Sequence, residues 1–177
     1  NTQDSTPLLT LLKATDTGVD FINTSKEIIG RHFGHYEYFY NGGGVAIGDV
    51  NNDGLQDVFF AGNDTSNTLY LNEGGFKFKE ITRTAKLTST NWSTGVTMVD
   101  INQDGFLDIY ICNSGPDSKD SLLANQLYIN NGDETFTESA QQYGVADSSY
   151  STQAVFFDMD ADGDLDLLVV NHSDIKY

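Results

Sequence analysis

Three short acidic loops of one design constrain this chain more than any other feature. The segment Asp158-Met159-Asp160-Ala161-Asp162-Gly163-Asp164-Leu165-Asp166 lies between two apolar runs, Val155-Phe156-Phe157 and Leu167-Leu168-Val169-Val170. It offers oxygen side chains at its first, third, fifth and ninth positions, a glycine for the turn at the sixth and a backbone carbonyl at the seventh. That is a partial shell for a hard cation, and carboxylates so close repel one another unless a positive charge sits among them. Calcium is the expected ion. The pattern recurs in Asp49, Asn51, Asp53, Gly54 and Asp57, and again in Asp100, Asn102, Asp104, Gly105 and Asp108. Three copies, each flanked by apolar β-formers, predict a repeated structural unit.

The register of the repeat can be read from other residues. Asn67-Thr68-Leu69-Tyr70-Leu71-Asn72 matches Asn125-Gln126-Leu127-Tyr128-Ile129-Asn130, Phe78 matches Phe136, Trp92 matches Tyr150 and Asp100 matches Asp158, all 58 residues apart. The first two loops, opened by Asp49 and Asp100, are only 51 apart, so a seven-residue insertion falls within residues 114–124. In the first repeat, strands are predicted over 45–48, 58–61, 68–72 and 76–82, with turns at 62–67 and 73–75. Four short antiparallel strands per repeat at this period predict an all-β chain of β-propeller blades. Two blades are nearly whole and a third is half present. Propellers close with four to eight blades, so the chain reads as part of a longer one. Gly44, Ala46, Gly95 and Ala154, in the strand before each loop, suit an innermost strand crowded around an axis. Residues 1–16 read as a flexible leader with a possible edge strand, 17–21 as an outer strand, and 17–177 as the partial propeller.

Composition removes several classes of function. A net charge of −17 excludes the basic footprint that nucleic acid or an anionic membrane surface requires. No apolar run is long enough to insert in a bilayer. Cys112 is the single cysteine, so no internal disulfide exists, and its place among Ile109, Tyr110 and Ile111 suits a small buried residue. An EF-hand would need an acid at the twelfth loop position, where Phe60, Ile111 and Val169 stand. Magnesium would demand a smaller shell that keeps its waters. Gly42-Gly43-Gly44 matches neither a phosphate loop nor a dinucleotide fingerprint, and the Asn-X-Ser/Thr sequons at Asn23, Asn63, Asn91 and Asn171 are unremarkable in so Asn-rich a chain. Low-affinity calcium sites fill where calcium is millimolar, which favours an extracytoplasmic location.

The loops, together with Gly42-Gly43-Gly44-Val45-Ala46-Ile47-Gly48-Asp49 and Trp92-Ser93-Thr94-Gly95-Val96-Thr97, resemble FG-GAP and VCBS repeats. Those repeats form the blades of the integrin α-subunit propeller and of many secreted bacterial proteins, including large VCBS-repeat proteins that often carry an ASPIC/UnbV domain. The resemblance implies three structural calcium sites. Asp49, Asn51, Asp53 and Asp57 hold the first with the Leu55 carbonyl. Asp100, Asn102, Asp104 and Asp108 hold the second with that of Phe106, and Asp158, Asp160, Asp162 and Asp166 the third with that of Asp164. Asp160 adds a carboxylate where the other loops carry asparagine, so the third site is expected to be tightest.

Antiparallel geometry puts the remaining turns at the end opposite the loops. Arg31, His32, His35, Tyr36, Trp92 and Tyr150 gather there with the inserted segment and form the face expected to meet a protein or carbohydrate ligand. Trp92 and Tyr150 either stack on that ligand or pack between blades. The leading reading is a binding, adhesion or scaffold module at an extracytoplasmic site, secreted or on the cell surface, including a lipid-anchored bacterial surface protein. Its rival is part of a polysaccharide lyase or hydrolase using Arg31, His32, His35 and nearby tyrosines as acid and base. The absence of a Ser/His/Asp constellation speaks against the rival, and two histidines without a third ligand read as ordinary loop residues.

Overall fold

Each repeat alternates apolar and polar residues at a period of two, and that alternation sets which way its strands face. The computed structural model describes residues 8–116 and 120–173, so residues 1–7 of the leader expected over 1–16 and part of the inserted segment lie outside the described residues. Strands β1 (Val45–Gly48), β2 (Asp57–Phe60), β3 (Thr68–Asn72) and β4 (Phe78–Glu80) form one antiparallel sheet in that order. Strands β5 (Trp92–Val99), β6 (Asp108–Ser114), β7 (Gln126–Asn130) and β8 (Phe136–Glu138) form a second, and β9 (Ser151–Phe157) with β10 (Asp166–Asn171) a hairpin of the same kind. These are the blades of the predicted all-β propeller. Every acidic loop joins the first strand of its unit to the second, for Gly48 pairs Asp57, Val99 pairs Asp108 and Phe157 pairs Asp166.

The sheets stack face to face. Phe59, Ala61, Leu69 and Leu71 of the first meet Val96, Ile109, Ile111 and Tyr128 of the second in one buried cluster. Tyr110, Cys112 and Leu127 on the other face of the second sheet meet Ala154, Phe156, Leu167 and Val169 of the hairpin. Burial pushes the Cys112 thiol up to about 12, so it packs as a small apolar residue. The inner strands touch closely: a Cβ on Gly44 would fall 2.7 Å from the Thr94 carbonyl oxygen. This is the crowding expected of the small residues in β1, β5 and β9.

Two expectations are corrected. Residues 17–21 do not form an outer strand. Thr17 closes the short helix α1 (Ala14–Thr17), Gly18 turns the chain at φ 83°, and the segment crosses the first sheet's face instead of lengthening its edge. Phe21 stacks on Phe60 with centroids 4.9 Å apart, and the Tyr70 hydroxyl donates to Asp20 at 2.8 Å. Side-chain contacts hold it where no ladder partner is offered. The fourth strand is also shorter than 76–82, because Phe76 adopts φ 59° within the hairpin turn and Ile81 turns into the core. The inserted segment carries a helical turn, α2 (Asp120–Leu123), and α3 (Ala140–Tyr143) follows β8.

Comparing repeats exposes one flaw. Asn125 Oδ1 accepts the Asn113 N–H at 2.8 Å, and its Nδ2 donates to the Tyr110 hydroxyl at 3.1 Å and to Ser151 Oγ at 2.9 Å. Its counterpart Asn67 keeps the first bond, from Gly62 N–H at 2.9 Å, but its buried Nδ2 has no partner among the described residues. Phe59 stands where the second repeat has Tyr110, and Ser93, the counterpart of Ser151, donates its hydroxyl to Asn113 Oδ1 at 2.9 Å instead. Phe59→Tyr is therefore expected to raise stability by about 1 kcal/mol by supplying the missing hydroxyl, measured by urea unfolding. A loss of stability there would mean that the ring has no room for the extra oxygen.

Candidate functional site

The acidic loops owe their shape to their own carboxylates. In the first, the N–H groups of Asp53 and Gly54 donate to Asp49 at 3.1 and 2.8 Å, and that of Leu55 to Asp53 at 2.8 Å. The second repeats this with Asp104 and Gly105 on Asp100 and Phe106 on Asp104, and the third with Asp162 and Gly163 on Asp158 and Asp164 on Asp162. The fourth residue of each loop, Asn52, Gln103 or Ala161, takes a left-handed φ of 57 to 63°. The three loops thus share one backbone turn, with the side-chain oxygens drawn inward.

The third loop carries a carboxylate at its third position where the first two carry an amide. Asp158, Asp160 and Asp166 each place a carboxylate oxygen within 4.8 Å of the others. In the first two loops the third-position amide instead lies against the fifth-position carboxylate, Asn51 Nδ2 to Asp53 at 3.1 Å and Asn102 Nδ2 to Asp104 at 2.8 Å. A hydrogen bond there relieves charge that a fourth carboxylate would aggravate. Crowding shows at Asp164, whose carboxyl is held above its ordinary value by the hydrogen bond with Asp162 and then by repulsion from Asp162, Asp166 and Asp160. An oxygen-only donor set of this kind fits a hard divalent cation such as calcium.

The ninth position has a structural task that sequence reasoning missed. Asp57 and Asp108 are 0% exposed. Asp57 accepts the N–H of Val50 at 2.9 Å and of Asn72 at 2.8 Å, while Asp108 accepts those of Ile101 at 3.0 Å and Asn130 at 2.8 Å. Each carboxylate bridges its loop to the third strand of its own sheet. Burial raises both carboxyls above the usual range, the backbone bonds oppose that rise, and the neighbouring loop aspartates add to it. Every carboxylate oxygen has a second lone pair, so bridging leaves room for an ion.

The opposite end collects most of the expected ligand face, but not as an exposed platform. Trp92 is 4% exposed, wedged against Tyr36 and Phe39 with the Arg31 guanidinium 5.3 Å from its ring centre. Trp92 therefore packs inside and offers no stacking surface; the aromatic segment 32–41 folds over it. Tyr150 is half-buried and stacks with Tyr36. Arg31 forms an ion pair with Asp64 and lines a shallow polar cavity of about 230 Å³ with Asn63, Thr65, Ser66, Ser89 and Thr90. His32 and His35 face each other, Nε2 to Nδ1 at 2.9 Å, and the Gly34 N–H donates to His32 Nδ1.

His172 joins this end unpredicted, beside Ser114 of the inserted segment. The Tyr36 hydroxyl lies 2.7 Å from Ser114 Oγ and 3.2 Å from His172 Nε2, which is 3.1 Å from Ser114 Oγ. The register held the signal, since Ser114 and His172 are equivalent positions 58 residues apart. Tyr36 and Ser114 are buried, so the triangle ties three successive units together and leaves no open nucleophile.

Residues 49–111 and 113–169 each match the family model described as an FG-GAP-like repeat. No curated protein matches the chain.

Proposed function

Because the chain belongs to the FG-GAP-like repeat family, and its loops present oxygen donors alone, we propose that it is a calcium-binding propeller segment serving as an extracytoplasmic binding, adhesion or scaffold module. The convergence of Asp158, Asp160 and Asp166 is the observation that carries this reading. Calcium is structural in it: the loops spend their oxygen side chains on ligation, and none of them contains a histidine or other base to act beside the ion on a substrate. Its work is to neutralise the loops and fasten the first strand of each unit to the second. The ligand, a protein or a carbohydrate, meets the end around Arg31, His32, His35 and Tyr150, where the turns between second and third strands emerge. Membership of a large exported repeat protein of the VCBS kind is part of the same proposal. No helix among the described residues is long and apolar enough to cross a membrane.

The test is calorimetric titration of EDTA-stripped protein with calcium, followed by thermal melts. Three ions are expected per chain, with the melting temperature rising by roughly 15–30 °C once all sites are saturated about a hundredfold above Kd. Asp160→Asn is expected to weaken the third site by about tenfold by removing its extra charge. An unchanged melt in saturating calcium would overturn the proposal.

A further inference from the structure

We infer that Asn130 is a positioning residue that couples the first acidic loop to the second. It sits buried at the end of β7, and its backbone N–H donates to Asp108 Oδ1 at 2.8 Å. Asp108 Oδ2 in turn accepts the N–H of Ile101, the second residue of the second loop, at 3.0 Å. The side chain of Asn130 reaches the other way: Nδ2 donates to the carbonyl of Val50, the second residue of the first loop, at 2.8 Å and to that of Leu107 at 3.1 Å. Its Oδ1 accepts the Gly132 N–H at 3.0 Å. One buried residue thus bonds to two loops that belong to different sheets.

The first repeat shows which of these bonds is the added one. Asn72, the counterpart of Asn130, donates Nδ2 to Gln56 at 3.0 Å and accepts from Gly74 N–H at 2.9 Å, both within its own repeat. Only the Val50 bond crosses between sheets. A surface tie runs parallel to it, from Asn52 Nδ2 to the Gly105 carbonyl at 2.9 Å. Between the second and third loops the described residues show the surface tie alone, Gln103 Nε2 to the Gly163 carbonyl at 3.2 Å. Ala161, at the equivalent place in the third loop, has no amide to extend the series.

Order imposed on the second loop is therefore passed to Val50 through Asp108 and Asn130, and by reciprocity order in the first loop is passed back. If an ion fills one of these loops, the other needs less ordering to accept its own. That last expectation rests on the calcium reading; the mechanical coupling does not.

The experiment is hydrogen exchange on the whole chain in EDTA, comparing wild type, Asn130→Ala, Asn52→Ala and Asn72→Ala. Asn130→Ala is expected to speed exchange over residues 50–57 by about three- to tenfold, Asn52→Ala by less, and Asn72→Ala to leave residues 100–108 unchanged. Asn130→Ser keeps the test open if the alanine variant unfolds. In a calcium titration, the first two sites should interact in wild type and interact less in the Asn130 variants, which keep only the Asn52 tie. Loss of calcium binding altogether with the exchange effect intact would leave the coupling standing and remove only the calcium reading. Wild-type exchange over residues 50–57 in a folded Asn130 variant would overturn the inference.

Discussion

Asp57→Ala is expected to cost about 2–4 kcal/mol in EDTA, with no calcium present, whereas Asp53→Ala costs less than about 1 kcal/mol. Both residues belong to the same loop, yet their surroundings differ. Asp57 is 0% exposed and accepts two backbone N–H groups, those of Val50 and Asn72. Alanine leaves both donors buried and unpaired, at about 1–3 kcal/mol each. Part of that loss is offset, because the variant no longer confines a carboxylate that burial makes harder to ionise. Asp53 is exposed, and among the described residues its carboxylate bonds only within its own loop. Asp57→Asn should fall between the two, since the amide oxygen still accepts one N–H while its NH₂ faces the other donor. Urea unfolding with and without calcium separates the roles. Equal and small effects of Asp57→Ala and Asp53→Ala in EDTA would mean that the ninth aspartate is an ion ligand and nothing more.

That contrast also marks the limit of what the sequence disclosed. The acidic loops, the hairpins they close and the sheet order follow from local signals: oxygen residues at fixed spacing, a glycine at the turn and alternating apolar residues. The register of 58 residues tied the second repeat to the third, and small residues at Gly44 and Gly95 marked the inner strands. The bridge from Asp57 to Asn72 was not legible, because an aspartate at the end of an acidic loop looks the same in sequence whether its oxygens face solvent or the end of another strand. Trp92 raised the same difficulty in reverse. Its burial depends on Tyr36 and Phe39, 56 and 53 residues earlier in the sequence, folding back over it. Residues 17–21 alternate like a strand, but a strand also needs an open edge, and Phe21 found the face of Phe60 instead.

The closeness of the inner strands sets the second large effect. Gly95→Ala is expected to destabilise the protein by about 2–4 kcal/mol, and Gly95→Val by more. The glycine's φ is not in the left-handed region, so the reason is space: a Cβ there would lie 2.5 Å from the Thr152 carbonyl oxygen and 2.9 Å from Gln153 Cα. Those are backbone atoms of β9, which cannot rotate away as a side chain can. To admit a methyl group, β5 must separate from β9, stretching the bonds from Thr94 Oγ1 to the Ser151 carbonyl and from Thr97 Oγ1 to that of Ala154, each 2.7 Å. It would also loosen the cluster around Tyr110, Cys112 and Ala154. Gly54→Ala is the natural comparison. Gly54 has φ 86° but nothing within 4 Å of its would-be Cβ, so alanine there meets only the left-handed backbone penalty of about 1–2 kcal/mol. Thermal melts should place Gly95→Ala roughly 5–12 °C below wild type and below Gly54→Ala. A Gly95→Ala protein that melts with wild type would mean that the inner strands of neighbouring blades do not approach this closely, and the stacking of the second sheet on the β9–β10 hairpin would have to be redrawn.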